Sequence, residues 1–332
     1  MKFAYLLVGG CGGCDMAIVD LSEKLVDALE HLEVVFWAPT VADVKYKDLE
    51  AMPDNSIDLG FVSGMVRNKE NEHLVKVMRQ KCKILVAYGI CAALGGIPGM
   101  ANLHTKEELL ENAYIKSPSV DNPDNVLPSP ESEVNGYKLT LPELLDYVKP
   151  VSAVVDVDYF VGGCPPHHDH VARIVEAIVS GNLPPKGSWI TDGSSVCDKC
   201  PRNPALKGET RGFISEVKRM HEGVVDEEKC LLQQGYLCFG PVTQGDCGAL
   251  CTKVGIRCAG CGGPIPPTTD FGLRAVSALT SLFENEKVAK QALEKYPVFA
   301  KLLYRYGLPG SKLGEKVEVL KKKEVKEVEA KH

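Results

Sequence analysis

Short apolar runs alternate with amphipathic stretches along the first half of the chain. Strands that alternate with helices in this way are typical of a parallel sheet covered by helices on both faces. The pattern therefore predicts an α/β domain over residues 1–185, with a loop-rich excursion between residues 102 and 150. Five runs have the character of buried strands: FAYLLVG (3–9), EVVFW (33–37), IDLGFVSG (57–64), KILVAYG (83–89) and AVVDVDYFVG (153–162). Helical periodicity occurs at residues 17–32, 70–81 and 167–180.

The second half has a different pattern. Residues 188–269 show little apolar periodicity, many glycines and eight cysteines, so we expect something other than hydrophobic burial to hold this segment together. Helical periodicity returns in FGLRAVSALTSLF, with Thr269 or Asp270 as its cap, and again over residues 288–306. The predicted apolar face of the first of these helices consists of Leu273, Val276, Leu279, Leu282 and Phe283. Residues 186–310 thus predict an irregular, cysteine-rich domain with C-terminal helices, and residues 311–332 a charged tail.

Composition and charge exclude several classes of protein. Of the 332 residues 45% are hydrophobic, enough to form a core, and the net charge of −6 provides no basic face for nucleic acid. No apolar run approaches the ~18 residues that a membrane span needs. The start MKFAYLLVGG has no signal-peptide pattern, so we expect a cytoplasmic protein whose thiols are kept reduced.

Four of the thirteen cysteines follow three of the predicted strands. Cys11 and Cys14 follow the first strand, Cys91 follows the fourth, and Cys164 follows the fifth. Ligands of open parallel sheets bind beyond the carboxyl ends of the strands, near the point where the strand order reverses. These four thiols are therefore expected to meet at one edge of the sheet, where glycines bring the backbone close.

The eight cysteines of the second half supply two further sets of four ligands, which leaves one cysteine over. That one is Cys82, which begins an apolar strand and is interpreted as a core residue. The eight form four local pairs: Cys197 and Cys200, Cys230 and Cys238, Cys247 and Cys251, Cys258 and Cys261.

Several kinds of cysteine chemistry compete at this point. Disulfides are disfavoured in a reducing compartment, and a thioredoxin-like pair of Cys11 and Cys14 leaves Cys91 and Cys164 unexplained. Structural zinc also accepts four cysteines, whereas glycine-rich loops with soft thiolates favour iron–sulfur clusters. The histidines 167, 168 and 170 open a predicted helix and are interpreted as capping and solvated residues, not ligands.

Four motifs resemble the small, electron-transfer subunit of NiFe hydrogenases over the chain to about residue 285: GGCGGCD, GICAALGGIPG, DYFVGGCPP, and CFGPVTQGDC continuing to CAGCGGP. The resemblance implies a flavodoxin-like sheet domain and three 4Fe–4S clusters. Their implied ligands define three sets, whose names are kept below. These are the proximal group (Cys11, Cys14, Cys91, Cys164), the distal group (Cys197, Cys200, Cys230, Cys238) and the medial group (Cys247, Cys251, Cys258, Cys261).

The resemblance also implies partners. The NiFe centre would lie on a separate large subunit, and the likeness is closest to the cytoplasmic deazaflavin-non-reducing hydrogenases of methanogenic archaea. A small iron–sulfur electron-transfer subunit and the heterodisulfide reductase complex would then accept the electrons. A deazaflavin-reducing hydrogenase, an iron–sulfur subunit related to complex I and a zinc-stabilised scaffold remain alternatives.

This sequence departs from the periplasmic members of that family at several positions. Cys197 stands where they have a histidine, and Cys251 supplies a fourth medial cysteine. Gly10 replaces a glutamate, for which Asp15 is a conceivable substitute, and Gly163 replaces a proline.

Overall fold

The computed structural model describes residues 1–38, 43–268 and 270–314. The strands are β1 Lys2–Leu7, β2 Glu33–Ala38, β3 Ile57–Ser63, β4 Val66–Asn68, β5 Cys82–Tyr88, β6 Glu131–Val134, β7 Tyr137–Thr140, β8 Leu144–Lys149, β9 Tyr159–Val161 and β10 Ser188–Trp189. The helices are α1 Gly13–Val19, α2 Glu23–Leu29, α3 Tyr46–Ala51, α4 Lys69–Lys81, α5 Ile90–Leu94, α6 Lys106–Tyr114, α7 His168–Val179, α8 Leu250–Lys253, α9 Phe271–Thr280, α10 Glu286–Lys295 and α11 Phe299–Leu303. None of the helices in these ranges has the length and apolarity to cross a membrane.

A six-stranded sheet in the order β10-β9-β5-β3-β1-β2 forms the centre of the first half, and all its neighbouring strands are parallel. The α/β fold and the five predicted strands are confirmed. The fifth is shorter than predicted, because Val151–Ala153 forms a 3₁₀ turn and only Tyr159–Val161 pairs in the sheet. The strand order reverses between β1 and β3, the kind of position at which such sheets bind ligands.

Two apolar clusters cover the two faces of this sheet. Successive side chains of a strand point to opposite faces, so Phe3 and Tyr5 pack on the side of α1 and α7, whereas Ala4 and Leu6 pack on the side of α4. The helix predicted over 70–81 is α4, capped by the Asn68 side chain, which accepts a hydrogen bond from the Asn71 amide at 2.7 Å.

Two of the predicted helices are interrupted. The pattern over residues 17–32 is divided into α1 and α2, because Ser22 adopts a positive φ of 53°. The pattern over 288–306 is divided into α10 and α11. Pro297 lies between them, and proline both lacks the amide that would continue the helix and disfavours helical geometry at the preceding residue.

The excursion between residues 102 and 150 contains more structure than expected. It includes α6, an exposed hairpin of β6 and β7, and β8, which pairs antiparallel with β4. Asn102 links the start of the excursion to its end. Its side chain accepts a hydrogen bond from the Val148 amide at 2.7 Å and donates one to the Val148 carbonyl at 2.9 Å.

The expectation that residues 188–269 contribute few residues to an apolar core was wrong. A third cluster includes Leu231, Leu237 and Phe239 together with residues of α9, α10 and α11. Asp270 caps α9 by accepting a hydrogen bond from the Leu273 amide at 2.9 Å, while Thr269 lies outside the described residues. The predicted face of α9 was also partly wrong: Leu273 is 59% exposed, and the buried residues are Phe271, Gly272, Ala275 and Leu279.

The domain limits remain predictions. The sheet gains its sixth strand, β10, three residues beyond the limit placed at residue 185. The charged tail lies outside the described residues from residue 315 onward.

Candidate metal centres

The proximal cysteines meet at the carboxyl ends of β1, β5 and β9, as the topology predicts. Cys11, Cys14, Cys91 and Cys164 line one cavity together with glycines of the loops after β1, β3 and β9. Cys14 lies on α1 and Cys91 on α5, so each thiol is held by a helix that begins shortly after a strand. Cys11 and Cys164 are exposed at the surface of this edge, which we call the crest.

Glycine is required at two places around these thiols. Gly89 has a φ of 85°, and a Cβ there would lie 2.5 Å from the Cys14 sulfur. Gly96 has a φ of 58°, and a Cβ there would lie 2.3 Å from the Cys91 sulfur. The backbone therefore approaches the sulfurs more closely than any side chain allows, which leaves a cradle for a bulky group.

The electrostatics of the crest disfavour the deprotonated form of its cysteines when no metal is bound. Burial raises the pKa of Cys91 to about 12, and the neighbouring Cys164 and Cys11 add to the rise. The pKa of Cys14 is raised by burial and then by Cys91, Cys164 and Cys11. A bound metal reverses this situation, since it neutralises crowded thiolates and deprotonates its ligands.

The distal cysteines also converge. Burial, with the charges of Cys238 and Cys230, raises the pKa of Cys197 to about 12, while Arg211 acts against the rise. A Cβ on Gly240 would lie 3.2 Å from the Cys197 sulfur and 3.6 Å from that of Cys238. The charge of Cys200 also acts on Cys238, so the structure brings all four together.

The medial cysteines surround Cys261. Burial is the main cause that raises the pKa of Cys261 to about 12, and the charges of Cys247, Cys164 and Cys251 contribute to the rise. Burial raises the pKa of Cys258, and the charges of distal Cys238 and, to a smaller extent, medial Cys261 add to the rise. Cys251 lies on α8, a single turn, and is exposed.

Hydrogen bonds link the medial group to each of the other two groups. The Gly163 amide, next to proximal Cys164, donates to the carbonyl of medial Cys261 at 3.1 Å. The amide of medial Cys258 donates to the sulfur of distal Cys238 at 3.2 Å. Adjacent groups are therefore joined by direct hydrogen bonds.

None of the thirteen cysteines forms a disulfide, and the donor set fits a soft metal cluster better than the alternatives. The thioredoxin-like interpretation does not account for four thiols around one cavity. Cys82 lies apart from the groups, since it is fully buried at the start of β5 and its thiol faces Gly60.

The histidines behave as capping and packing residues. The Nδ1 of His167 accepts from the Asp169 amide at 3.3 Å at the start of α7. Buried His170 donates to the carbonyl of Ile190 at 2.8 Å. Asp15, the conceivable substitute for the missing glutamate, has its pKa raised by burial and accepts from the Trp37 indole at 3.1 Å.

Two residues of these sites were missed by sequence reasoning. Asp246 directly precedes Cys247 and is 6% exposed; it accepts from Thr191 Oγ1 at 2.6 Å and Arg173 Nη2 at 3.1 Å. Arg211 donates to the Cys197 sulfur at 3.6 Å. No local motif marks either residue, because their partners lie in other segments of the chain.

Comparisons with known proteins agree with this architecture. Residues 11–178 match the family described as "NADH ubiquinone oxidoreductase, 20 Kd subunit", a range that contains the whole proximal group and ends before the distal and medial cysteines. The chain is 76% identical to the iron–sulfur subunit of the F420-non-reducing hydrogenase of Archaeoglobus profundus, over 96% of this chain and 99% of the relative.

Two further relatives extend over nearly the whole chain. A subunit of the F420-non-reducing hydrogenase vhu of Methanocaldococcus jannaschii is 37% identical over 96% of this chain and 98% of its own length. A subunit of the F420-non-reducing hydrogenase of Methanothermobacter marburgensis is 34% identical over 96% of this chain and 97% of its own length. The resemblance seen in the cysteine motifs is thus confirmed, and the chain belongs to the family of F420-non-reducing hydrogenase iron–sulfur subunits.

Proposed function

We propose that the chain is the electron-transfer subunit of a cytoplasmic NiFe hydrogenase and carries three 4Fe–4S clusters. The proximal, medial and distal groups hold one cluster each, and the NiFe centre lies on a separate large subunit. This chain therefore has no catalytic residue of its own. Its role is to conduct electrons from the site of hydrogen oxidation to a partner.

One observation carries the proposal: hydrogen bonds link the medial set of four cysteines to the proximal set on one side and to the distal set on the other. The bond from Gly163 to Cys261 connects the proximal and medial groups, and the bond from Cys258 to Cys238 connects the medial and distal groups. When bound, clusters with four thiolate ligands supply one-electron oxidation and reduction.

The protein's own contribution is to hold the ligands and to exclude water. The distal cysteines 200, 230 and 238 and the medial Cys258 are buried, whereas Cys11 and Cys164 at the crest are exposed. An electron carrier needs its first centre close to the donor, so the exposed crest is the surface that the large subunit covers. Backbone amides near the sulfurs, such as that of Cys258, adjust the potentials.

The names of the three relatives favour particular partners. All three belong to F420-non-reducing hydrogenases, and F420 is a deazaflavin, so their names favour an acceptor other than this deazaflavin. We propose a small iron–sulfur electron-transfer subunit and the heterodisulfide reductase complex as the path of exit. A complex I-related role is less well supported, since relatives with hydrogenase names match the chain over 96% of its length.

Metal analysis of the natively purified complex tests the proposal. Prepared without oxygen, it should contain roughly twelve irons and a matching amount of acid-labile sulfide per copy of this chain, four irons for each group. A content near eight irons, or stoichiometric zinc in place of iron, would contradict the three-cluster function.

A further inference from the structure

Arg211 makes one hydrogen bond to the distal group and one to a neighbouring asparagine. Its Nη2 lies 3.6 Å from the Cys197 sulfur and 3.1 Å from the side-chain oxygen of Asn203. The Asn203 amide group in turn donates to the Cys197 carbonyl at 2.9 Å. Arginine, asparagine and cysteine thus form a closed arrangement that fixes the guanidinium against the thiol.

The positive charge of Arg211 has no carboxylate partner within the described ranges, 1–38, 43–268 and 270–314. Among the described residues, the buried Nε of Arg211 has no hydrogen-bond partner. Two other arginines do have a carboxylate partner: Arg79 pairs with Asp158 at 2.7 Å, and Arg173 pairs with Asp246 at 3.1 Å. Arg202 and Arg257 donate to backbone carbonyls instead. A guanidinium that is partly buried without a counter-charge costs free energy, so an anionic group is expected next to Arg211.

The other charged groups around Cys197 are already compensated. Lys199 pairs with Asp192, and the Asp198 carboxylate accepts from the amide and hydroxyl of Ser195. Arg257 lies close to Cys238 and Cys258, but its Nη1 donates to the Leu237 carbonyl at 3.1 Å and its charge acts on both groups. Arg211 is therefore the cation assigned to Cys197 and to the distal group alone.

We propose that Arg211 is a positioning residue that raises the reduction potential of the cluster held by the distal group. This inference rests on the proposed function. A thiolate-ligated cluster is anionic and becomes more negative by one charge when it accepts an electron. A fixed cation that donates to a ligand sulfur stabilises the reduced form more than the oxidised form. The distal group would thus receive electrons readily from the medial group.

Redox titration of the purified complex, followed by electron paramagnetic resonance, tests this role. Arg211→Gln removes the charge, Arg211→Lys keeps it, and Lys207→Gln removes a nearby exposed charge whose ammonium group donates to the Glu228 carbonyl. In Arg211→Gln one midpoint potential of the three should become more negative by at least a tenfold change in the reduction equilibrium, about 59 mV. Arg211→Lys should shift less, and Lys207→Gln should match the wild type.

The outcomes separate this inference from the function on which it rests. Full iron content with three unchanged potentials in Arg211→Gln would overturn the role of Arg211 and leave the three-cluster function intact. Loss of four irons from both Arg211 variants would assign the residue to structure alone and would also overturn it. A wild-type complex without the third cluster would contradict the function itself.

A second measurement does not depend on the glutamine variant. Pulsed electron paramagnetic resonance of the reduced complex, with ¹⁵N-labelled arginine, should detect a nitrogen coupling to one cluster that disappears in Arg211→Lys. If the wild-type complex shows no coupling that Arg211→Lys removes, the inference is wrong.

Discussion

The backbone amide of Cys258 donates a 3.2 Å hydrogen bond to the sulfur of Cys238. The two cysteines belong to different groups, medial and distal, so a main-chain amide of one group directly affects a proposed ligand of the other. Burial raises the pKa of Cys238 to about 11, and the amides of Gly240 and Cys258 act against that rise. The backbone at Cys258 therefore contributes to both the medial and the distal site.

Cys251 is the medial cysteine for which the family pattern gives the least support, and a substitution tests its role. In Cys251→Ala we expect the medial site to change from a 4Fe–4S to a 3Fe–4S cluster, because one iron would lose its thiolate. Electron paramagnetic resonance of the oxidised complex should show a new three-iron signal, with about one iron fewer per chain. Because Cys251 is exposed on α8, the substitution should leave the rest of the chain folded.

Cys82→Ala provides the matched control for Cys251→Ala. Cys82 is fully buried against Gly60, so its loss should leave the iron content unchanged and reduce stability by about 1 kcal/mol. Three intact cubes in Cys251→Ala would remove Cys251 from the ligand set, and loss of iron from Cys82→Ala would add Cys82 to it.

Gly162→Ala should separate the proximal and medial groups. A Cβ on Gly162 would lie 1.9 Å from the carbonyl oxygen of Gly262, and that atom is backbone, which cannot simply rotate away. We expect a destabilisation of about 2–3 kcal/mol, visible as a lower thermal unfolding midpoint at a fixed scan rate, and loss of iron from the medial site.

Gly307→Ala is the control for Gly162→Ala. Its Cβ would contact only the Leu94 side chain, at 3.4 Å or more, so its midpoint should change little. Equal behaviour of the two alanine variants would show that the contact between residues 162 and 262 is not rigid.

Asp158 should contribute stability that depends on pH. Its carboxylate is 9% exposed and bonds to Arg79 at 2.7 Å, Lys186 at 2.6 Å and the Leu85 amide at 2.8 Å. Burial alone would raise its pKa, but these hydrogen bonds outweigh burial and lower it. A lowered pKa in the folded state contributes stability above the unfolded pKa of about 3.9, and this stability is lost as the pH falls through the folded value.

Asp158→Asn should therefore cost about 2 kcal/mol near neutral pH and progressively less as the pH falls below about 4. Unfolding midpoints measured at a series of pH values give the comparison. Asp156→Asn removes the same charge from an exposed position two residues earlier and should change stability by less than about 0.5 kcal/mol. A cost in Asp158→Asn that does not vary with pH would refute the ion-pair explanation.

The crest should become protected when the large subunit binds. Cys11 and Cys164 are exposed there, and Met16 and Val19 of the adjoining α1 are 56% and 45% exposed. Hydrogen–deuterium exchange of the loops around Gly12, Ala92 and Pro165 should slow in the complex, while the β6–β7 hairpin serves as an internal reference. Equal exchange in the free and bound chain would place the interface on another surface.

The sequence was most informative about the crest. Carboxyl ends of parallel strands meet at one edge, so the positions of Cys14, Cys91 and Cys164 after three strands were sufficient to predict their convergence. The two-residue strand β10 was missed because it is too short to give an alternating pattern. The break between α10 and α11 was visible as Pro297, but the periodicity on either side obscured it.

The second half was harder to predict for a physical reason. Leu231, Leu237 and Phe239 are buried without any helical or strand period, since irregular backbone turns them inward one at a time. Arg211 reaches Cys197 across fourteen residues of chain with no regular secondary structure between residues 208 and 213. Such contacts depend on loop geometry, and no local motif specifies it.

The contact between Gly162 and Gly262 also makes the two halves of the chain interdependent in sequence. The carbonyl of Gly262 occupies the space in which a side chain at residue 162 would lie, so the cysteine-rich half determines which residue the sheet domain can carry there. A substitution at residue 162 therefore acts on both halves at once. The same backbone contact sets the spacing between the loop that carries Cys164 and the loop that carries Cys261.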